Sequence, residues 1–446
     1  METHFARHFR TIEQANSLRL YGKVAEIAGL LVEGHDTGNC IGDMCRIYPN
    51  GRSESIMAEV VGFRNGNVLM MPIQGLNGIG PGSRILPLGK KADVRVGESL
   101  LGRVIDGLGR PIDDKGRIDY EDEYPVYADT INPLKRGRIR EPIDLGVRAI
   151  NGLFSCGKGQ RMGIFSGSGV GKSLLLGMIA RQTEADVNVI GLIGERGREV
   201  REFIENNLGE EGLERSVIVV ATSDSHPLIR MRAAYVATSI SEYFRDRGRH
   251  VVLMVDSLTR FAMAQREVGL FLGEPPTTKG YTPSVFSLLP RLLERSGNIE
   301  GGGSITGLYT VLVEGDDFNE PIADAARSIL DGHITLSRDL ASKNHYPAID
   351  ILQSISRVMN DIVNDEHRRA AKDVLNAVAT YRKAEDLINI GAYVTGSNEG
   401  IDFAIRMIDK INAFLQQDIH ESIGFDETRQ QLLALLAEGE GAKKTG

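Results

Sequence analysis

The sequence predicts an α/β protein with three domains: an N-terminal β-barrel over residues 19–92, a central α/β domain over 93–360 and a helical C-terminal domain over 361–446. Three observations support this prediction. Short β-branched runs broken by turns fill the first part, apolar strands alternate with helical patterns in the middle, and helical patterns dominate from residue 361. A chain of 446 residues is also too long for one ordinary core.

The composition is that of a globular protein, with 41% hydrophobic and 25% charged residues. No apolar run is long enough to span a bilayer, and residues 1–8 lack the layout of a signal peptide, so we expect a cytoplasmic location. The net charge of −8 argues against a nucleic-acid partner. Cys40, Cys45 and Cys156 lack Cys-x-x-Cys spacing and are interpreted as reduced, structural thiols.

The first domain is preceded by residues 1–18, whose apolar side chains recur at three- and four-residue spacing. This pattern predicts a short amphipathic helix that could dock a partner, although packing on the barrel or fraying explains it equally well. Several short strands then follow one another, which predicts the barrel. Asn65-Gly66, between two apolar runs, is a strong hairpin signal.

The central domain begins in a stretch, 97–112, whose repeated glycines exclude any long regular element. Residues 120–141, rich in Pro, Asp and Arg, are typical of a connection that runs over the surface. Strands then alternate with helices, which predicts a mostly parallel sheet with helices on both faces. The predicted strands are 162–165, 187–193, 216–221 and 250–255, and the predicted helices are 172–183, 197–207 and 227–247.

A glycine-rich loop, Phe165-Ser-Gly-Ser-Gly-Val-Gly-Lys-Ser173, joins the first of these strands to the first helix. Its glycines let backbone N–H groups turn toward phosphates, and the helix start adds its positive dipole end, so the loop predicts a nucleoside triphosphate site on the surface. Lys172 would reach the β- and γ-phosphates, and Ser173 would hold Mg²⁺. Ser166 departs from the strict pattern, which has Gly there, and an ordinary glycine-rich turn is the alternative. The predicted nucleotide-binding residues of the loop are Gly167, Ser168, Gly169, Val170, Gly171, Lys172, Ser173 and Leu174.

Two carboxylates follow apolar strands that should end at the same edge of the sheet. Asp256 ends the run 251–255, where it can hold Mg²⁺ directly or through water; the alternative is a cap on the following helix. Glu195 follows 187–193, where a carboxylate would face the γ-phosphate and orient an attacking water. A solvated charged loop explains the cluster around Glu195 equally well.

Several separate motifs resemble known sequences. Gly194-Glu-Arg-Gly-Arg-Glu199 and Pro347-Ala-Ile-Asp-Ile-Leu-Gln-Ser-Ile-Ser-Arg357 resemble the catalytic β-type subunits of rotary ATPases. Gly280-Tyr-Thr-Pro-Ser-Val-Phe-Ser-Leu-Leu-Pro-Arg-Leu-Leu-Glu-Arg295 is similar to the type III protein-export ATPases of that superfamily. Ile411-Asn-Ala-Phe-Leu-Gln-Gln417 looks closer to the flagellar branch than to the injectisome branch. The similarity covers nearly the whole chain.

This resemblance implies a RecA-like P-loop ATPase domain and Mg²⁺-dependent hydrolysis of ATP. It implies coupling to the export of flagellar proteins through a type III secretion apparatus, by unfolding substrates or releasing them from chaperones. The chain would form a homo-hexamer at the cytoplasmic face of the inner membrane, associated peripherally through the export gate. Its partners would be a stator or regulator subunit bound by residues 1–18, a central stalk subunit, export substrates and chaperones.

The resemblance also implies roles for individual residues. Arg196 would stand beside Glu195, which activates the attacking water. Tyr346 would stack on the adenine, and Arg357 would be an arginine finger that reaches into the neighbouring subunit's site. Without the motif, Tyr346 would be interpreted as a core aromatic residue and Arg357 as half of a surface ion pair. The catalytic set implied is Lys172, Glu195, Arg196 and Arg357, and the metal-binding pair is Ser173 and Asp256.

Other classes share this fold. An injectisome ATPase and the catalytic subunit of a proton-translocating rotary ATPase are alternatives, but the sequence lacks the Asp-Glu-Leu-Ser-Glu-Glu-Asp stretch of the latter. A non-catalytic ring subunit usually lacks the Glu at position 195. A hexameric RNA translocase would need a basic surface, which the acidic balance of charge disfavours.

Overall fold

A computed structural model describes residues 20–35, 38–52, 54–313, 315 and 317–441, the side chains of 438–441 excepted. The helix predicted at 1–18 therefore lies outside the described residues. The chain divides into two compact units. One comprises the residues up to Asp93 with Val268–Glu274, and the other comprises Val94–Glu267 with the residues from Pro275. The domain boundaries drawn at residues 19, 93 and 361 remain predictions.

The first unit contains the expected barrel, which closes in the order β1-β2-β5-β4-β3-β6. Asn65 and Gly66 join β4 to β5, and both have positive φ, 49° and 80°, as a tight hairpin turn requires; the predicted hairpin is confirmed. Alternate side chains fill the interior, among them Val32, Ile47 and Val68. The strands are β1 Gly22–Ala28, β2 Leu31–His35, β3 Asp43–Tyr48, β4 Ile56–Arg64, β5 Asn67–Pro72 and β6 Arg84–Lys91.

The remaining strands form a nine-stranded sheet and two small two-stranded sheets. They are β7 Asp93–Val96, β8 Arg103–Asp106, β9 Asp122–Pro125, β10 Pro142–Ile143, β11 Cys156–Gly157, β12 Arg161–Ser166, β13 Val187–Ile193, β14 Ser216–Ala221, β15 His250–Asp256, β16 Gly297–Asn298, β17 Ser304–Leu312, β18 Gly332–Thr335 and β19 Ile355–Ser356. The large sheet has the order β19-β18-β12-β17-β15-β13-β14-β8, with β16 beside β17. Only β16 and β19 run antiparallel, so the prediction of a mostly parallel sheet is confirmed.

Helices cover this sheet, and β13 is buried along its whole length. For that reason its residues are apolar except Asn188, whose side chain donates to the carbonyl oxygen of Ala180. The α-helices are α1 Arg148–Leu153, α2 Lys172–Gln182, α3 Gly197–Glu202, α4 Gly209–Glu214, α5 Pro227–Asp246, α6 Leu258–Leu272, α7 Pro283–Leu293, α8 Pro321–Ile329, α9 Arg338–Ser342, α10 Met359–Ile362, α11 Asp365–Asn389, α12 Glu399–Leu415 and α13 Phe425–Gly441. The single helix predicted at 197–207 is not continuous in the structure, because a π-helical segment, Phe203–Leu208, joins α3 to α4. Short 3₁₀ helices occur at Glu98–Leu100, Pro133–Lys135 and Thr278–Gly280.

The helical C-terminal part is confirmed: α11, α12 and α13 pack on one another and on α1. Val374, Ile411 and Leu432 are fully buried between them and continue the core of the α/β part. The three cysteines are not in disulfides. Cys45 and Cys156 are buried, but Cys40 is exposed, so its interpretation as a structural thiol is wrong. Within the described ranges, no helix is long and apolar enough to cross a membrane.

Candidate nucleotide-binding site

The glycine-rich loop connects the end of β12 to the start of α2, as the sequence predicts. Gly169 and Gly171 have φ of +77° and +91°, a backbone conformation that favours glycine. The loop thereby turns its backbone toward the first turn of α2, whose leading N–H groups have no partner within the helix. Ser166, at the departure from the strict pattern, is fully buried at the end of β12, and its hydroxyl makes no hydrogen bond within the described residues.

Lys172, Glu195 and Asp256 meet beneath this loop. The Nζ atom of Lys172 lies 2.5 Å from Oδ1 of Asp256 and 3.4 Å from Oε1 of Glu195. The sheet explains why these three side chains lie close together. The strands β12, β13 and β15 are parallel, and each of the three residues lies at or just after the carboxyl end of one of them. The side chains of Lys172 and Glu195 are only 12% and 13% exposed, so Lys172 does not lie on the surface as predicted.

Burial and charge act against each other in this cluster. Burial raises the pKa of Glu195 to about 7, although the Lys172 ammonium lowers it; the Asp256 carboxylate adds to the rise. Burial lowers the pKa of Lys172, but Asp256 and Glu195 more than offset this, and its pKa is raised overall. Lys172 is therefore charged at neutral pH, while Glu195 can exchange a proton near pH 7.

The cluster borders a cavity of about 600 Å³. The predicted residues on its wall are Gly167, Ser168, Gly169, Gly171, Lys172, Ser173, Leu174, Glu195 and Arg196. Val170, also predicted, is buried and is not among the wall residues. Arg196 is 81% exposed, and its guanidinium lies 3.6 Å from the Glu199 carboxylate.

Tyr346 lies beside the loop but is not among the residues of the cavity wall, and its stacking on an adenine remains a prediction. A Cβ atom built on Gly171 would come within 3.1 Å of the Tyr346 ring. Glycine at position 171 therefore leaves room for the ring where it lies. The backbone of Tyr346 is held as well, because the N–H of Gln417 donates to its carbonyl oxygen at 3.0 Å. The buried Gln417 side chain accepts from the N–H of Arg148 at 2.8 Å and donates to the carbonyl oxygen of Gly146 at 2.8 Å.

Arg357 lies at the other end of the sheet. Its N–H donates to the carbonyl oxygen of Asp331 at 3.0 Å, and Asp331 immediately precedes β18. Because β18 is parallel to β12, Asp331 lies beside Arg161 at the start of β12, whereas the glycine-rich loop follows the end of β12. Six strand residues span about 20 Å. Arg357 is therefore separated from its own chain's cavity and is not among its wall residues.

The donor atoms around the cavity suit a magnesium ion that is also coordinated by phosphate oxygens. Ser173 lies on the wall, and the buried Asp256 carboxylate ends β15 nearby. In the part of the chain that the structure describes, no three His, Cys, Asp or Glu residues cluster as a self-sufficient metal site. One carboxylate and one hydroxyl match a Mg²⁺ that keeps waters and takes substrate oxygens as its other ligands.

Several further polar residues at the site were missed in the sequence. Thr310 on β17 donates to Oδ1 of Asp256 at 2.6 Å and so fixes the carboxylate that Lys172 contacts. Arg260 and Arg338 lie on the cavity wall and add positive charge there. Arg260 follows Asp256 by only four residues, which is a signal that could have placed it at the same edge. Nothing in the local sequence marks Thr310 or Arg338.

Comparison with known proteins gives consistent matches along the chain. Residues 24–89 match the ATP synthase alpha/beta family β-barrel domain, 146–356 match the nucleotide-binding domain of that family, and 363–434 match the T3SS EscN ATPase C-terminal domain. The flagellum-specific ATP synthase of Bacillus subtilis is 54% identical over 96% of this chain and 98% of its own. The type 3 secretion system ATPase of Xanthomonas euvesicatoria is 49% identical, covering 98% of each chain.

A solved structure agrees with these matches. The assembled ATPase EscN in complex with its central stalk EscO, from the type III secretion system of enteropathogenic E. coli, superposes with a TM-score of 0.86. That chain is 45% identical, and the match covers 93% of this chain and 100% of that one. The barrel, the α/β part and the helical part of the present chain therefore all have counterparts in one known protein.

Proposed function

Because the chain belongs to the ATP synthase alpha/beta family, and within it to the flagellum-specific and type III secretion ATPases, we propose that it hydrolyses ATP to support export of flagellar proteins through a type III secretion apparatus. The observation that carries this proposal is the contact of Lys172 with Asp256 and Glu195 beneath the glycine-rich loop. The flagellar relative is more similar than the secretion relative, which favours the flagellar branch over the injectisome branch.

The loop residues would bind the triphosphate through their backbone N–H groups. Lys172 would then exchange its contacts with Asp256 and Glu195 for the β- and γ-phosphates. Ser173 and Asp256 would hold Mg²⁺, which when bound neutralises charge on the phosphate oxygens. Glu195, released from the ammonium, would accept a hydrogen bond from a water and orient it toward the γ-phosphate, with Arg196 beside it.

Tyr346 would provide the face on which the adenine stacks. Its ring lies against Gly171, the residue that immediately precedes α2, so a base on Tyr346 would follow directly from phosphates on the loop. An aromatic face holds a base without reading its hydrogen-bonding edge, so this residue contributes affinity for the nucleotide.

Arg357 would act in a neighbouring subunit. Its position at the amino ends of the strands, opposite the loop, supports a head-to-tail arrangement in which one chain's Arg357 faces the next chain's cavity. Heterologous contacts form a ring when the rotation between neighbours closes, and we propose that they close here into a homo-hexamer. A guanidinium supplied in this way stabilises charge that spreads over the γ-phosphoryl oxygens, an effect of about 10³-fold or more in rate.

Ring assembly would place the chain within a larger apparatus. We propose that it works in the cytoplasm, at the cytoplasmic face of the inner membrane, where the export gate holds it peripherally. A central stalk subunit would contact the ring, and a stator or regulator subunit would bind residues 1–18. Export substrates and their chaperones would be the clients, which hydrolysis unfolds or releases from one another.

Mixing two inactive variants tests the trans arrangement. Arg357→Ala keeps its own pocket, and Lys172→Ala keeps its own arginine, so each alone should be nearly inactive. In rings assembled from equal amounts of both, about one junction in four combines an intact pocket with an intact arginine, and some turnover should return. If exchange of subunits is demonstrated and turnover does not return, Arg357 does not act across a subunit boundary.

A further inference from the structure

The backbone at Arg357 is anchored by a network centred on Asp331. The Asp331 carboxylate accepts from Arg161 through Nε at 3.0 Å and through Nη2 at 3.1 Å, and also from the Arg161 N–H at 3.1 Å. This bidentate geometry fixes Asp331 firmly at the start of β12. The carbonyl oxygen of the same Asp331 accepts from the N–H of Arg357 at 3.0 Å. One residue thus links the start of β12 to Arg357.

A second set of bonds holds the neighbouring residue, Ser356. The fully buried Gln160 donates from Nε2 to the Asp331 carbonyl oxygen at 3.0 Å and to the Ser356 hydroxyl at 3.1 Å. The Ser356 hydroxyl donates to the carbonyl oxygen of Ser155 at 3.0 Å. Gln160 immediately precedes β12, and Arg161 is its first residue. The start of β12 therefore holds both Asp331 and Ser356, the two residues that position the backbone of Arg357.

The guanidinium of Arg357, in contrast, is exposed and makes one long hydrogen bond. Its Nη2 donates to the carbonyl oxygen of Arg327 at 3.3 Å, and no carboxylate among the described residues pairs with it. The base of the side chain is thus fixed while its charged end stays available. This is the arrangement expected of a group that must reach a partner in a set position.

We propose that Asp331 and Arg161 are positioning residues for Arg357: their ion pair sets where the arginine of one subunit enters the nucleotide site of the next. The inference rests on the proposed trans role of Arg357. It also connects the two sites of each chain, because β12 has the glycine-rich loop at its end and the anchor of Arg357 at its start. Asp331 and Arg161 touch no nucleotide and act only through Arg357.

The kinetic test uses Asp331→Asn, which removes the charge but keeps the carbonyl oxygen that holds Arg357. A second variant, Arg161→Lys, keeps the charge but loses the bidentate contact with Asp331 and alters the ion pair of Arg161 with Glu294. Misplacement of a catalytic group by about 1 Å can cost up to about 10²-fold in rate. We expect kcat to fall by roughly 10-fold or more in both variants, with KM for ATP unchanged, since each chain's own pocket is intact.

A matched control comes from the opposite edge of the same sheet. Arg103, at the start of β8, makes a similar bidentate contact with Asp113, at 2.7 Å and 2.8 Å, and this pair is at least as buried. Asp113→Asn should therefore cost as much stability as Asp331→Asn but should leave kcat unchanged. Thermal unfolding and ring formation of both variants would be measured alongside turnover. An equal loss of kcat in Asp113→Asn would overturn the proposal.

The decisive test again mixes subunits. Asp331→Asn mixed with Lys172→Ala should regain turnover per intact pocket as fully as Arg357→Ala mixed with Lys172→Ala. Asp331→Asn mixed with Arg357→Ala should be no more active than Asp331→Asn alone, because no junction then contains a correctly placed arginine. If Arg357→Ala is rescued and Asp331→Asn is not, Asp331 serves its own pocket and the inference fails. If Arg357→Ala itself is not rescued, the proposed trans role has failed first.

Discussion

Removing the Lys172 ammonium should destabilise the protein in a pH-dependent way. In Lys172→Ala, Asp256 and Glu195 would remain buried beside each other with no cation between them. Breaking a buried ion pair by deleting one partner typically costs about 3–5 kcal/mol. Here the cavity gives access to solvent, so we expect roughly 2–4 kcal/mol at pH 8.5, or a fall in Tm of roughly 3–6 °C for a unit of this size.

The sign of the pH dependence follows from Glu195. Its pKa in the folded protein, about 7, exceeds the ordinary value of 4.5, so its contribution to stability is complete below pH 4.5 and is lost as pH rises through the folded pKa. Lys172 lowers that pKa, so in Lys172→Ala the pKa is higher and the loss continues above pH 7. The difference in Tm between the wild type and the variant should therefore grow from pH 6 to pH 8.5.

Lys158 provides the matched control. It also lies between two carboxylates, those of Glu141 and Glu184, at 3.5 Å each, but these are 72% and 47% exposed. Exposed ion pairs contribute about 0–1 kcal/mol, so Lys158→Ala should change Tm little and without a pH trend. The assay is thermal unfolding at both pH values without nucleotide or Mg²⁺. If Lys172→Ala unfolds like the wild type at pH 8.5, the cluster does not depend on the ammonium, and the electrostatic account of the site is wrong.

Three further predictions concern catalysis. Glu195→Gln should bind Mg-ATP nearly normally in a direct binding assay while turnover falls by roughly 10²-fold or more, because the amide cannot accept a proton; a parallel loss of binding would make Glu195 structural. Tyr346→Ala should raise KM for ATP by about 5-fold to 10²-fold while Tyr346→Phe leaves it unchanged, since stacking needs only the ring, and equal KM values in all three proteins would exclude stacking. Wild-type turnover per chain should rise with protein concentration as rings form, and a rate per chain that stays constant through the dissociated range would contradict a trans Arg357.

The sequence was informative wherever a local signal coincided with the end of a strand. Glu195 and Asp256 each come at the end of a mostly apolar strand, and parallel strands place their carboxyl ends at one edge, so proximity to Lys172 could be predicted without a structure. The hairpin at Asn65-Gly66 was predictable for a similar reason, because few other residues accept positive φ at both positions.

Other features depend on contacts that are distant in the sequence. The strand β17 was missing from the predicted elements because, buried on both faces, it mixes Thr, Gly and Tyr with apolar residues and shows no alternation. Thr310, on that strand, meets Asp256 only because β15 and β17 are neighbours in the sheet. The burial of Lys172 was also unpredictable from a glycine-rich loop, since it depends on two carboxylates contributed by other strands.

The hydrogen bond between Gln417 and Tyr346 has a mechanical consequence. Gln417 follows α12 and is buried. Through its hydrogen bond it connects the helical C-terminal part to Tyr346, whose aromatic side chain we propose stacks on the adenine. A partner that shifts α12 would move Tyr346 and so change the affinity for ATP. By thermodynamic linkage, ATP must then change the affinity for that partner by the same factor, so the helical part would report the occupancy of the nucleotide site to whatever binds it.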